Sequence, residues 1–472
     1  MFFPSLSPRF PVECEGTRGI LGMVPAAATK EPSEMTQAKR IGICALGLCA
    51  AADILATEVS NVSARQRWPW NNLVDVTFQL SGVESSETFY RIDVSASYPG
   101  MAGDAVAAKS LVSEPLVKGN GSHTVVWNMG EDIPGLIASN LTVSVSAAPL
   151  APTDPVYMIV DLSDGASATS YPVRYSLTGP DLSDDTCRTT EMWFKLCPAG
   201  TFTMGTDSAD NANALRLPAH TVTLTKPFWL GVFEVTQEQF YRVCGEWPSY
   251  YTNETYRATR PVESVKYDTY IRPAGQWYSG TINGYESRFM ARLRTRTGLA
   301  FDLPTEAQWE YACRAGTTGD YYDSRFTKVN IQNYCRAING STTIGATITP
   351  DRNDDTTKGT AKVGSYDPNP WGFYDMYGNV AEICGDGNPY SSNCDSTCIS
   401  DFANYTGDYV NPRGPVQKTS NPTPSPSNGY PARGGAHNQS YPSSHMTSVS
   451  RIFMYDSGSS RAYGFRASMT AE

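Results

Sequence analysis

At 472 residues the chain exceeds what one ordinary hydrophobic core can organise, so its length calls for two or three domains. Only 18% of residues are charged while Gly and Pro number 39 and 32, a composition that is loop-rich and globular and excludes an all-helical or a disordered chain. A net charge of −10 and a pI near 5.1 leave no basic face for a phosphate backbone, which excludes nucleic acid as the expected partner.

Residues 1–34 are Pro-rich and patternless, and read as an unstructured extension or a mis-called start. In residues 35–56, Lys39 and Arg40 precede an apolar run from Ile41 to Ala52 that ends in small residues. This is the layout of a signal peptide, and the run is too short to cross a bilayer. The expected product is secreted, periplasmic or held at the cell surface, with no transmembrane span; the competing reading is a buried helix of the mature protein. Leu48 before Cys49 argues against a lipoprotein site. Beyond this segment stand Cys187, Cys197, Cys244, Cys313, Cys335, Cys384, Cys394 and Cys398, an even set that predicts disulfides in an exported protein without fixing their pairing. No Cys-x-x-Cys pair is present, so a structural zinc site is not expected.

Residues 57–150 show period two. Val74, Val76, Phe78 and Leu80 alternate with polar residues, as do Tyr90, Ile92, Val94 and Ala96, and then Leu141, Val143 and Val145. The pattern predicts a small all-β sandwich of immunoglobulin-like type. Trp68, Trp70 and Trp127 are expected in its core, with a carbohydrate platform as the alternative. Residues 151–190 read as a linker with one strand near Met158 to Val160.

From about residue 191 onward the texture is mixed. His220 to Thr225 alternates as a strand, Thr236 with Gln239 and Thr305 with Gln308 form capping boxes that open helices, and a helix over Phe289 to Thr297 stops at Gly298. After Gly316 no period is sustained, and stretches of that kind need metal, disulfides or dense side-chain hydrogen bonds to hold them.

Short motifs in fixed order run through residues 191–472. They are Pro198-Ala199-Gly200-Thr201-Phe202-Thr203-Met204-Gly205, Glu234-Val235-Thr236, Arg260-Pro261-Val262, Leu303-Pro304-Thr305-Glu306-Ala307-Gln308-Trp309-Glu310-Tyr311-Ala312, Asn369-Pro370-Trp371-Gly372-Phe373-Tyr374-Asp375-Met376-Tyr377-Gly378-Asn379-Val380, Arg433-Gly434-Gly435 and Gly464-Phe465-Arg466. Together they make this segment similar to the formylglycine-generating enzyme domain, also called the sulfatase-modifying factor domain. The resemblance implies an α+β, C-type-lectin-like unit with little regular structure. Trp309 and Tyr311 read as core residues, and Arg433 and Arg466 as ties that hold loops by bidentate hydrogen bonds.

The resemblance further implies structural calcium. Asp375, Gly378, Val380 and Glu382 match one of the family's sites, and Asn330, Ile331, Asp355 and Thr357 match the other, each supplying hard carboxylate, amide or carbonyl oxygens. Members that make formylglycine also use two cysteines to hold copper between the last two motifs. Counted from Arg433, those places fall on Gln439 and Ser444, and no cysteine follows Cys398. Neither an amide nor a hydroxyl replaces a thiolate for Cu(I), so copper and catalytic residues are not expected. His437, His445, Met446 and Met454 are a weaker copper set, and a Ser-His-acid triad at His445 is weaker still.

The leading expectation is a catalytically lapsed binding protein that presents residues 436–463 to a protein or glycan, with His437, Asn438, Tyr441, His445 and Tyr455 as contact candidates. One alternative is an active oxidoreductase that modifies a cysteine of sulfatases. Another is a receptor diversified by a retroelement.

Overall fold

The computed structural model describes residues 57–67, 72–83, 88–99, 105–112, 115–136, 141–151, 154–207, 218–271, 287–327, 330–331, 334–339, 342–344, 359–386, 409–412, 429–438, 446–455 and 460–471. The chain divides into two compact units at Ala151/Pro152. The expected extension, signal peptide, Trp68 and Trp70 lie outside the described residues.

The first unit carries strands β1 (Glu58–Gln66), β2 (Leu73–Ser81), β3 (Phe89–Ser97), β4 (Val106–Ala107), β5 (Leu116–Lys118), β6 (Gly121–Asn128) and β7 (Thr142–Pro149), with one helical turn, α1 (Met129–Asp132). β1, β2 and β6 form one antiparallel sheet; β3 pairs β4, β5 and β7 in another. The period-two residues point inward as expected, so Val76, Phe78, Tyr90, Ile92 and Trp127 share one core. Trp127 is wholly buried, and its indole N–H donates to Asp132 at 2.7 Å. The same carboxylate accepts from the Lys109 and Ser110 amides and the Ser110 hydroxyl, and these donors hold its pKa down to about 2 against the upward push of burial.

The second unit mixes helix and sheet. Its first elements are β8 (Tyr157–Asp161), β9 (Val173–Ser176), α2 (Thr186–Thr189), β10 (Glu191–Cys197), β11 (Gly200–Met204), β12 (His220–Leu224) and β13 (Phe228–Gly231). Three helices follow, α3 (Gln237–Cys244), α4 (Phe289–Thr297) and α5 (Glu306–Arg314). Short strands complete it: β14 (Ala337–Asn339), β15 (Thr342–Ile344), β16 (Ala381–Ile383), β17 (Tyr409–Val410), β18 (Gly429–Arg433), β19 (Arg451–Tyr455), β20 (Tyr463–Gly464) and β21 (Ser468–Thr470).

Residues 151–190 are not the linker their composition suggested. β8 and β9 occupy one side of a five-stranded sheet ordered β21-β13-β10-β8-β9, and Met158, Ile159 and Val160 are fully buried in it. Five consecutive apolar or aromatic residues, Val156 to Val160, are enough for an inner strand, and the surrounding Ser, Asp and Gly belong to its turns.

The capping boxes form as the spacing predicts. Thr236 and Thr305 each accept from the amide three residues on, while Gln239 and Gln308 reach back to the cap amide. Each cap contributes about 1 kcal/mol. α4 stops at Gly298 in the left-handed conformation. α5 ends at Arg314, with Ala315 left-handed at φ 47° as its C-cap and Gly316 next.

All nine residues of α5 are buried, including Glu306, Glu310 and Arg314. A helix hidden on every side must find partners for its charges within the protein. Glu310 pairs with Arg314 at 2.7 Å and with Arg433 of β18, while Glu306 receives Arg451 of β19 at 2.5 Å. These pairs fix the four-stranded sheet β19-β18-β16-β20 against α5.

Among the described residues no disulfide holds the irregular segments. Cys187, Cys197, Cys244, Cys313, Cys335 and Cys384 are free thiols, all buried, and burial pushes the Cys313 thiol up to about 12. They pack as small apolar side chains, as buried cysteine commonly does. Cys394 and Cys398 lie outside the described residues.

Candidate functional site

Two neighbouring features arise where the motif segments converge. The deeper is a group of buried carboxylates, Glu234, Asp375 and Glu382, around Arg466. Glu234 precedes the α3 cap and accepts from the Val380 amide at 3.0 Å and the Asn379 side chain at 2.6 Å. Glu382 sits in β16 and accepts from Arg466 at 2.6 and 2.9 Å and from the Trp309 indole at 2.8 Å. Arg466 also donates to the carbonyls of Gly231, Val232 and Tyr374, so one guanidinium ties four segments. Chain approach is close here. A Cβ on Gly464 would come within 2.5 Å of the Val262 carbonyl oxygen, and one on Gly378 within 2.4 Å of that of Arg336, where φ is +79°.

Asp375 occupies the left-handed region at φ 55°, which short polar side chains tolerate. Its Oδ2 accepts from the Gly364 amide at 2.6 Å, and its Oδ1 has no hydrogen-bond partner among the described residues. Burial pushes the Asp375 carboxyl up to about 6, and burial followed by the charges of Asp375 and Glu382 raises Glu234 well above the usual range. Arg466 is the guanidinium whose charge reaches all three carboxylates. An ionised carboxylate offers about four acceptor positions. Three donors therefore leave Glu382 one position open, beside a bare oxygen on Asp375 and an excess of negative charge. Asp375 and Glu382, the two carboxylates of the set expected to hold a cation, are therefore the members with hard oxygen acceptors left open.

The other expected set is not brought together by its described members. Asn330 turns its carbonyl oxygen to the Thr327 amide at 2.7 Å and its amide group to the Arg325 carbonyl at 2.8 Å, capping its own turn. The Ile331 carbonyl receives the Tyr334 amide and the Cys335 thiol. Asp355 and Thr357 lie outside the described residues. No group of three or more His, Cys, Asp or Glu side chains arranged to hold a metal occurs among the described residues.

The second feature is built on His437, two residues past Arg433-Gly434-Gly435. His437 is fully buried, with Nδ1 2.9 Å from the Asn379 carbonyl and Nε2 3.1 Å from the Tyr251 hydroxyl. Burial depresses its pKa to about 3, assisted by the positive charges of Arg336, Arg461 and Arg260. With both ring nitrogens engaged, His437 is not the ligand contact its composition suggested; it is a post beneath Tyr251. Met446, Thr447, Ser448, Val449 and Ser450 are buried as well, and 451–455 is strand β19. Much of the described part of segment 436–463 is therefore core, because β19 completes the sheet beside α5. Asn438 is exposed. Tyr441, His445, Gln439 and Ser444 lie outside the described residues, as does the side chain of Tyr455, a β19 residue.

Sequence reasoning missed Arg461 and Tyr250. Arg461 is exposed, with its guanidinium 5.3 Å over the ring of Tyr250, which is 59% exposed. Tyr250 meets Tyr251 edge to face at 5.2 Å. Nothing in a lone arginine and a lone tyrosine 211 positions apart marks them as partners before the fold is known.

Residues 181–471 match the family model described as the sulfatase-modifying factor enzyme 1-like domain. The chain is 32% identical over 182 residues to the serine/threonine-protein kinase pkn1 of Chlamydia pneumoniae, covering 36% of this chain and 24% of that protein. It is 26% identical over 216 residues to the formylglycine-generating enzyme of Mus musculus, covering 40% of this chain and 56% of the enzyme. It is 27% identical over 213 residues to the inactive C-alpha-formylglycine-generating enzyme 2 of Mus musculus, covering 39% of this chain and 66% of that protein. The matches thus span from about a quarter to just under two thirds of these relatives' own lengths.

Proposed function

The chain belongs to the sulfatase-modifying factor enzyme 1-like domain family, and we propose that it is an exported member that has given up oxidation chemistry and binds a protein or glycan. One observation carries this reading: no cysteine follows Cys398, so the segment between Arg433-Gly434-Gly435 and Gly464-Phe465-Arg466 offers no thiolate to Cu(I). The six described cysteines do not substitute, since each is a buried packing residue with a thiol pushed away from its reactive form. A relative whose name calls it inactive supports the idea that this framework outlives its chemistry.

In this account the framework is a rigid mount for a surface. Calcium at Asp375, Gly378, Val380 and Glu382 would brace the turn from Asp375 to Glu382 and balance its buried carboxylates. Export rests on residues 35–56 alone, because the free thiols remove disulfides as a supporting argument. No helix of the described residues is long and apolar enough to cross a membrane.

The test is an oxygen electrode and a thiol assay with the purified chain, copper and a sulfatase-type cysteine peptide. The binding reading expects neither oxygen consumption nor thiol loss above the copper blank. Enzyme-dependent loss of both would establish the oxidoreductase alternative instead.

A further inference from the structure

Arg461 is the charged group that the described part of segment 436–463 holds out at the surface. It is exposed and makes no hydrogen bond or ion pair among the described residues. Its guanidinium lies 5.3 Å over the Tyr250 ring, and its N–H donors are free of partners among the described residues, as a carboxylate gripped through two parallel hydrogen bonds requires. The mount beneath is rigid. Tyr250 rests against Tyr251, whose amide donates to Glu263 at 2.9 Å and whose hydroxyl meets His437. Arg260 and Arg336, both buried, add their charge to that of Arg461 around His437, and Glu263 lies within charge range of Arg260. The chain as a whole carries −10, so a local excess of arginine marks this surface out for an anion.

We propose that the Arg461–Tyr250 pair anchors a carboxylate of an acidic peptide segment on a partner protein. The proposal rests on the binding reading above and names its ligand class. A peptide suits the surface better than an acidic sugar because the indole beside it, Trp247, is already covered. Arg461 lies over Tyr250, and three positions earlier Trp247 is stacked on Tyr241 at 4.8 Å and covered by Arg257 at 4.1 Å. A sugar ring finds no bare indole face there, whereas tyrosine, tryptophan and arginine side by side are the residues that dominate protein interfaces.

The experiment is fluorescence anisotropy of the full chain with a fluorescein-labelled peptide of alternating Glu and Gly. Its Gln counterpart and a uronic-acid oligosaccharide are run alongside. The Glu peptide is expected to bind, the Gln peptide about tenfold or more weaker, and affinity to fall with added salt. R461Q should weaken the Glu peptide by about tenfold while leaving the melting temperature unchanged, and R461K should recover part of the loss. Equal binding of Glu and Gln peptides, no binding of the Glu peptide, an unaffected R461Q, or Arg461-dependent preference for the oligosaccharide would each overturn the proposal. The two readings fail separately. Enzyme-dependent peptide oxidation removes the binding reading whatever the anisotropy shows, and absent peptide binding without oxidation removes only the acidic-peptide anchor.

Discussion

Arg466 holds both carboxylate oxygens of Glu382, at 2.6 and 2.9 Å, from a position with no solvent exposure. Because the same guanidinium donates to three backbone carbonyls of other segments, its loss strands a buried charge and several acceptors together. R466M is therefore expected to destabilise the second unit by about 3–5 kcal/mol. The double variant R466M/E382M should lose less than the sum of the two single variants, since each then lacks the charge the other was left to bury. Urea denaturation followed by circular dichroism reads both numbers, and strict additivity would show that the pair is not coupled.

Calcium should stabilise the chain in a pH-dependent way. Asp375 has a folded-state pKa raised from 3.8 to about 6, so its own contribution favours folding at low pH and is lost as pH rises through that window. A bound cation reverses the sign by preferring the ionised form. Added calcium is expected to raise the melting temperature at pH 7.5, with the gain shrinking as pH falls below about 6, and D375N should abolish it. If a chelator leaves the melting temperature unchanged at pH 7.5, calcium has no place at this site.

His437 gives a second pH signature. Its folded pKa is lowered to about 3 against an ordinary 6.5, so the unfolded chain binds the proton first and stability falls as pH drops below about 6.5. By pH 5 the loss should reach about 2 kcal/mol, at 1.36 kcal/mol per pH unit. H437Q should be less stable at pH 7 yet flatter in its pH dependence. A wild-type pH slope retained in H437Q would place the titrating group elsewhere.

The free thiols are testable by alkylation. In the native chain Cys187, Cys197, Cys244, Cys313, Cys335 and Cys384 should resist iodoacetamide, because they are buried and their thiolates disfavoured. In denaturant without reductant all six should label, as peptide mapping by mass spectrometry would show. Labelling that appears only after reduction would restore the disulfide expectation.

The parts of this fold legible in the sequence are those set by short-range rules. The alternation at Val74 to Leu80, the Thr236 and Thr305 caps and the stop at Gly298 each depend on a few neighbouring residues, and each forms where the pattern places it. The strand expected near Met158 to Val160 forms as β8, but β9 and the place of both in a five-stranded sheet were not legible, because their pairing with β10 and with each other joins residues far apart in the chain. His437 was misjudged for the same reason. A histidine in a polar-looking segment carries no local mark of the Asn379 carbonyl and Tyr251 hydroxyl that enclose it. The arginine ties were foreseeable as ties, yet their partners Glu310 and Glu382, 123 and 84 positions away, were not.

The central claim is that the framework persists without a copper-holding sulfur pair, and a Cu(I) titration against a competing chelator tests it most directly. The account predicts that copper stays with the chelator when the native chain is added. Stoichiometric transfer of Cu(I) to the native chain would contradict it.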